Sequence, residues 1–220
     1  MSVISKMPVI KTGGSPAWYR AGGAPAPVAA YQAKGAASLA ASYVNLANPG
    51  TYDCTLGSAP TLSGGWGFNG TSNYLKTGVV PSANSWSAVI QFSAAATPAG
   101  GTYAFGVLDG ATTKFFGIAP TYATTDCLFA NANLVQIAAG AKTSGNLAIA
   151  GAQGYYNGST FGSAISQSGL NPAREIFIGC LNNSGSAGNY LAITIHALAI
   201  YNTTLTAGQV SAIATAMAAL

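Results

Sequence analysis

The reading of "GFNGTSNYLKTG", residues 67–78, followed by "WSAVIQF", residues 86–92, decides the fold. Asn69-Gly70-Thr71 fits the N-x-[ST] glycan-acceptor pattern, which would belong to a secreted chain. The same Asn-Gly pair is among the strongest short turn signals, and alternating apolar residues surround it. In the second segment Trp86, Ala88, Ile90 and Phe92 point one way, and Ser87, Val89 and Gln91 the other. A period of two marks a half-buried strand. Taken as a turn, the first segment sends Phe68 into a core, reverses at Asn69-Gly70 and opens a strand at Tyr74 and Leu75.

Outward from this stretch, short apolar runs recur between Gly, Asn, Ser and Pro turns. They include "TYAFGVL" (102–108), "KFFGIAP" (114–120), "CLFA" (127–130), "LVQIAA" (134–139), "NLAIAG" (146–151) and "EIFIGC" (175–180). "YLAITIHALAIY" (190–201) is apolar on both faces, as expected of a central strand. About a dozen strands without an interior helix imply an all-β, two-sheet sandwich. The last segment changes period: Val210, Ile213, Met217 and Leu220 recur at helical spacing. Thr206 with Gln209 three residues later is a capping-box start, so one short C-terminal helix closes the sandwich. No internal repeat of solenoid period occurs.

Of the 220 residues 50% are hydrophobic and only 5% charged, against roughly 25% charged in ordinary soluble proteins. So sparse a charge gives weak electrostatic protection against self-association, which suits a protein packed among other subunits. Eight Lys and Arg against four acids leave +4, and the bases are scattered. The scatter makes no phosphate-tracking stripe, so no nucleic-acid partner is expected. Cys54, Cys127 and Cys180 cannot all pair, fit no zinc spacing and sit beside apolar residues, as small buried hydrophobes do.

Residues 1–27, with "GGSPAWYRAGGAPAP" at their heart, are too rich in Gly and Pro for a regular element. They form either a flexible leader or an assembly arm that docks on a neighbour through Trp18, Tyr19 and Arg20, residue types enriched at interfaces. The domain proper runs over 28–220. The N-terminus lacks an apolar core of signal-peptide length, and no run is long enough to span a membrane. The expectation is synthesis in the cytoplasm without membrane insertion. Asn157-Gly-Ser, Asn182-Asn-Ser and Asn202-Thr-Thr also fit the acceptor pattern, as chance allows in a chain rich in these residues.

Asp53, Asp109, Asp126 and Glu175 are the only acids, and no two are close enough to share a strand. Glycoside hydrolysis needs two carboxylates about the scissile bond. His196 is the sole histidine, set in an apolar strand, where a core or interface role with one hydrogen bond is the usual one. No enzyme activity and no catalytic residue are expected. "GYYNG" (154–158) offers Tyr155, Tyr156 and Asn157 to a sugar. The alternative makes Asn157-Gly158 a hairpin turn with one tyrosine packed inward.

Four stretches in order resemble one family. "GFNGTSNYLKTG" with "WSAVIQF" resembles its F-N-G-x-S-x-Y-L-x-T/S-G pattern and Trp-led strand. "IAGAQGYYNGSTFG" resembles its Y-x-N-G hairpin, "EIFIGC" its I-x-I-G strand, and "ALAIYNTTLTAGQVSAI" its closing strand and helix. Together they resemble laminin-G-like, concanavalin A-like jelly rolls over 28–220. The resemblance implies a fold that serves glycan-binding modules, adhesion domains, glycosidases and bacteriophage virion proteins alike. The family's glycosidases carry an E-x-D-x-E-type motif that is missing here. Its calcium sites use Asp, Asn and carbonyl oxygens at the sandwich rim; Asp109 and Asp126 lie in plausible turns, but Asx turns account for both and no D-x-D cluster occurs, so no metal or other cofactor is expected. Low charge, the missing export signal, unpaired cysteines and the Gly/Pro arm then point to a bacteriophage structural protein. It would be a capsid decoration, tail or fibre component in the virion, contacting copies of itself and other virion proteins. The alternative is a glycan-binding host-attachment or adhesin module with a host-surface glycan as partner.

Overall fold

The computed structural model describes residues 17–97, 100–110, 114–123, 125–137, 140–167, 169 and 172–220. A 3-10 turn at Trp18–Gly23 precedes β1 (Ala29–Gln32) and a single helical turn, α1 (Leu39–Ser42). Then come β2 (Thr55–Ser58), β3 (Thr61–Leu62), β4 (Trp66–Asn69), β5 (Tyr74–Lys76) and β6 (Ser87–Ser93). They are followed by β7 (Phe105–Leu108), β8 (Phe115–Ala123), β9 (Asp126–Ile137), β10 (Gly145–Ala150), β11 (Gln153–Tyr156) and β12 (Ser159–Thr160). The chain closes with β13 (Phe177–Ile178), β14 (Leu181–Asn183), β15 (Ser186–Gly188), β16 (Ala192–Tyr201) and helix α2 (Ala207–Ala218).

Two sheets result, and the expected all-β, two-sheet sandwich with one short C-terminal helix is the observed fold. Sheet I runs β12-β11-β10-β6-β16-β4-β3, with β1 beside the second half of β16. Sheet II runs β2-β5-β13-β7-β8-β9, with β14 and β15 branching from β7. Among the described residues every strand ladder is antiparallel except β14 on β7, and an isolated bridge pairs Tyr103 with Tyr190 in parallel. The opening turn is the link between the sheets, since β4 belongs to sheet I and β5 to sheet II. Asn69 Oδ1 accepts the backbone N–H groups of Thr71, Ser72 and Asn73 at 3.0–3.2 Å. Gly70 sits at φ +76°, where a Cβ would meet Ala192 N at 2.8 Å, so glycine is required twice over. Phe68 and Leu75 enter the core from either side of this turn.

Inward residues of both sheets, among them Tyr31, Trp66, Phe68, Ile90, Phe105, Phe116, Phe129 and Ile178, make one continuous core. β16 is central, with β6 on one side and β4 then β1 on the other. Its register with β6 shifts between Ile195 and Ala197, so His196 is a β-bulge. The bulge reverses phase: Ile193 and Ile195 face the core before it, Leu198 and Ile200 after it. Ala197, Ala199 and Tyr201 consequently face outward, joining Ala30, Val89, Ala148 and Ala150 in a second apolar cluster. Small side chains there let α2 lie close, and Val210, Ile213 and Met217 bury against them. Thr206 and Gln209 form the reciprocal capping box. Two details differ from the sequence expectation. "CLFA" and residues 134–137 of "LVQIAA" belong to one strand, β9, residues 138–139 lying outside the described residues, and α1 is an interior turn started by the Ser38 N-cap.

Trp18 and Tyr19 lie against the chain's own α2 rather than projecting from it. Trp18 is buried in the second cluster and its Nε1–H donates to Gln32 Oε1 at 3.0 Å. Tyr19 O accepts from the Tyr201 hydroxyl at 2.7 Å, and Gly23 O accepts from Gln209 Nε2. Arg20 is exposed. Residues 1–16 of the expected arm lie outside the described residues.

Candidate functional site

Sheet II carries aromatic side chains on its outer face. The phases of β5 and β13 put Leu75 and Ile178 inside, so Tyr74, Lys76 and Phe177 face out. Tyr74 packs on Phe177 at 5.1 Å between ring centroids and on Tyr190 at 6.2 Å. Gly57 on β2 makes room for that tyrosine, because a Cβ there would overlap its ring. Beside this group opens a cleft of about 380 Å³, lined by Lys76, Gly78, Arg174, Glu175, Phe177 and Asn182 together with Ala173 and Gly185.

Each polar group of the cleft is placed by its backbone surroundings. Glu175 Oε2 accepts the Gly78 N–H at 2.6 Å. Buried Asn182 donates to Glu175 O at 2.8 Å and accepts from Gly185 N, which ties β14 to the loop before β13. Arg174 Nε lies 3.9 Å from Asp109 Oδ1, and half of its side chain stays open to solvent. An exposed pair at that distance holds the guanidinium weakly, so its donors remain available. Lys76 has no ion-pair partner among the described residues.

At one rim stands Tyr52, 43% exposed; a Cβ on Gly78 would lie 3.4 Å from its ring. Tyr52 has a left-handed backbone at φ +60°, kept in place from within. The buried Tyr31 hydroxyl donates to Tyr52 O at 2.6 Å. Asp53 Oδ1 accepts from Asn45 N and Gly50 N on either side of the loop. Burial, then the neighbouring Cys54, drives the Tyr31 hydroxyl pKa far above its ordinary value, so it remains a donor. Ala173 (φ +50°) and Ser184 (φ +53°) border the same cleft in the same strained region. Non-glycine residues held there gather at binding and catalytic sites, because other contacts must offset the strain.

The tyrosines singled out in the sequence lie elsewhere. Tyr155 is buried beneath α2. Tyr156 packs toward the core, and Lys142 Nζ caps its ring at 4.9 Å. Asn157-Gly158 makes the hairpin turn, with Asn157 at φ +48°. Asn157 Oδ1 accepts the Asn146 N–H at 2.9 Å, and both asparagines line a second cleft against α2. His196 has two hydrogen-bond partners instead of the expected one: Nδ1 meets Gly64 O at 2.8 Å and Nε2 meets Ser93 Oγ at 2.9 Å. All three cysteines are free and buried, and burial pushes the Cys127 thiol up to about 11 and Cys180 up to about 12. Tyr52, Lys76, Arg174, Glu175 and Asn182 were not identified as site residues from sequence. The one available signal was Arg174-Glu175, the only adjacent charged pair in a chain 5% charged.

No protein-family model matches the chain, and no curated protein matches it in sequence. Solved structures do resemble it. Domain 4 of AbnA, a GH43 extracellular arabinanase from Geobacillus stearothermophilus in complex with arabinotriose, superposes with a TM-score of 0.62 at 16% identity. The match covers 86% of this chain and 98% of that domain. Trypanosoma rangeli sialidase, with 2,3-difluorosialic acid as a covalent intermediate, gives 0.59 at 14% identity. It matches 86% of this chain but only 33% of the enzyme, so the chain spans about a third of the sialidase. At these identities the likeness is one of fold, a jelly-roll-like β-sandwich. It also corrects the expectation of a bacteriophage structural protein built for a capsid or tail. The architecture recurs here in carbohydrate-active enzymes, one of them an isolated domain holding an oligosaccharide.

Proposed function

We propose that this chain is a non-catalytic carbohydrate-binding module that takes a saccharide in the sheet II cleft. The observation that carries the reading is the cleft itself. A buried amide, a guanidinium and an ammonium line about 380 Å³ beside Phe177, and the exposed Tyr52 ring stands next to Gly78 at the rim, with strained backbone alongside. Sugars present C–H faces that stack on aromatic rings and hydroxyls that pair with planar polar groups, so this set suits them. The laminin-G-like sequence pattern and the arabinotriose held by the similar AbnA domain support the same reading. Glu175 accepts the Gly78 N–H and Asp109 lies at ion-pair distance from Arg174, which suits shaping a rim rather than moving protons.

The test is a glycan array that includes arabino-oligosaccharides and sialylated glycans, followed by calorimetry on the best ligand. Wild type binds, and Tyr52→Ala and Arg174→Ala each weaken binding at least tenfold, about 1.4 kcal/mol. A silent array, or variants that bind like wild type, would overturn the assignment. Sustained release of product from the bound glycan would overturn its non-catalytic part.

A further inference from the structure

The second cleft, of about 330 Å³, lies between sheet I and the last turns of α2 and is lined by Asn146, Asn157, Ala214, Thr215 and Ala218. It exists because α2 presents Ala214 and Ala218 there, while Val210, Ile213 and Met217 fill the space along the sheet. Asn146 is 7% exposed, yet its Oδ1 has no hydrogen-bond partner. Directly across the strand pair, Gln91 Oε1 on the same outer face is also buried and unpartnered. Buried amide oxygens are nearly always satisfied, since leaving one unpaired forfeits its hydration. Of the two, Asn146 lines the cleft, and its unpaired oxygen calls for a donor.

We infer that this cleft is a second binding site, for a small neutral polyhydroxylated ligand: a single sugar ring or a comparable polyol. A hydroxyl would donate to Asn146 Oδ1, whose cross-strand neighbour is Gln91, with the ligand's C–H face on Ala214 and Ala218. Among the described residues no charged side chain lines the cleft, so a cation would lose hydration without a counter-charge, and a neutral donor is favoured. The volume is at the lower end of the roughly 300–1,000 Å³ of small-ligand sites, which selects one ring over an oligomer. Nothing in this inference uses the residues of the sheet II cleft.

The experiment follows side-chain amide resonances of the 15N-labelled full chain during titration with methyl α-D-glucopyranoside, methyl α-L-arabinofuranoside and myo-inositol. The expected result is a saturable shift of the Asn146 and Gln91 NH2 signals with at least one probe. It persists in Arg174→Ala and weakens at least tenfold in Ala218→Leu, which fills the cleft from an exposed helical position without lowering Tm. Silence of both amides with all three probes overturns the site, as it would if one amide were turned to bond the other. A shift that vanishes in Arg174→Ala, or survives Ala218→Leu, overturns it equally by assigning the probe elsewhere. A silent glycan array with these shifts intact would sink the sheet II reading and leave this one standing.

Discussion

The outer faces of the two sheets receive opposite treatment. On sheet I the exterior is a bed of alanines, buried under α2 and the 3-10 turn through Trp18, Val210, Ile213 and Met217. On sheet II the exterior keeps larger rings, and Tyr74 and Tyr190 remain half-buried next to Phe177, which lines an open cleft. Small residues invite a helix to pack, whereas bulky aromatics among polar side chains leave a surface suited to a ligand. The difference teaches that an apolar outer face is not by itself a binding face. What distinguishes the two is whether the chain's own termini are the partner.

The sharpest way to break the contrast is Trp18→Ala. It removes a buried ring that joins the N-terminal turn, sheet I and α2, and should cost about 3–5 kcal/mol in urea unfolding while glycan affinity stays unchanged. A wild-type midpoint would mean that residues 18–23 contribute no cover. Next in size, Lys76→Ala should weaken glycan binding severalfold, on the order of 1 kcal/mol, and leave the unfolding curve in place. Thr206→Ala removes the helix cap and should cost about 1 kcal/mol, with α2 exchanging its amide hydrogens faster.

The smallest effect concerns alkali. Burial raises the thiol of Cys127 from an ordinary value near 9 to about 11 and that of Cys180 to about 12. The unfolded chain therefore loses these protons at lower pH than the folded one. The associated stability is complete below about pH 9 and is lost as pH rises from 9 through 11 to 12. Cys127→Ala should flatten part of that decline, and neither thiol should react with a disulfide reagent at neutral pH until the protein unfolds. A fast native reaction would contradict the burial.

Much of the fold was legible because it is written in local chemistry. The period of two in 86–92, the Asn69-Gly70 turn and the Thr206–Gln209 box depend on residues within one turn of each other. The His196 bulge was legible too, in the switch from Ile193 and Ile195 to Leu198 and Ile200, but only to a reader counting phase across the strand. The cleft was not. Tyr52, Lys76, Arg174 and Asn182 come from four separate segments, and no local pattern brings them together. Tyr155 and Tyr156 drew attention because a tyrosine pair beside Asn-Gly looks the same in sequence whether its rings are covered or open. Here α2, more than fifty residues later, and Lys142 cover them.

By itself, then, the sequence determined that this chain is a β-sandwich closed by a capped helix, because strand phase, turn chemistry and capping are short-range and additive. Only the tertiary structure decided which outer face is roofed and which polar residues share a cleft. Those outcomes depend on sheet registers that bring residues about a hundred positions apart, such as Lys76 and Phe177, into adjacent places on one surface.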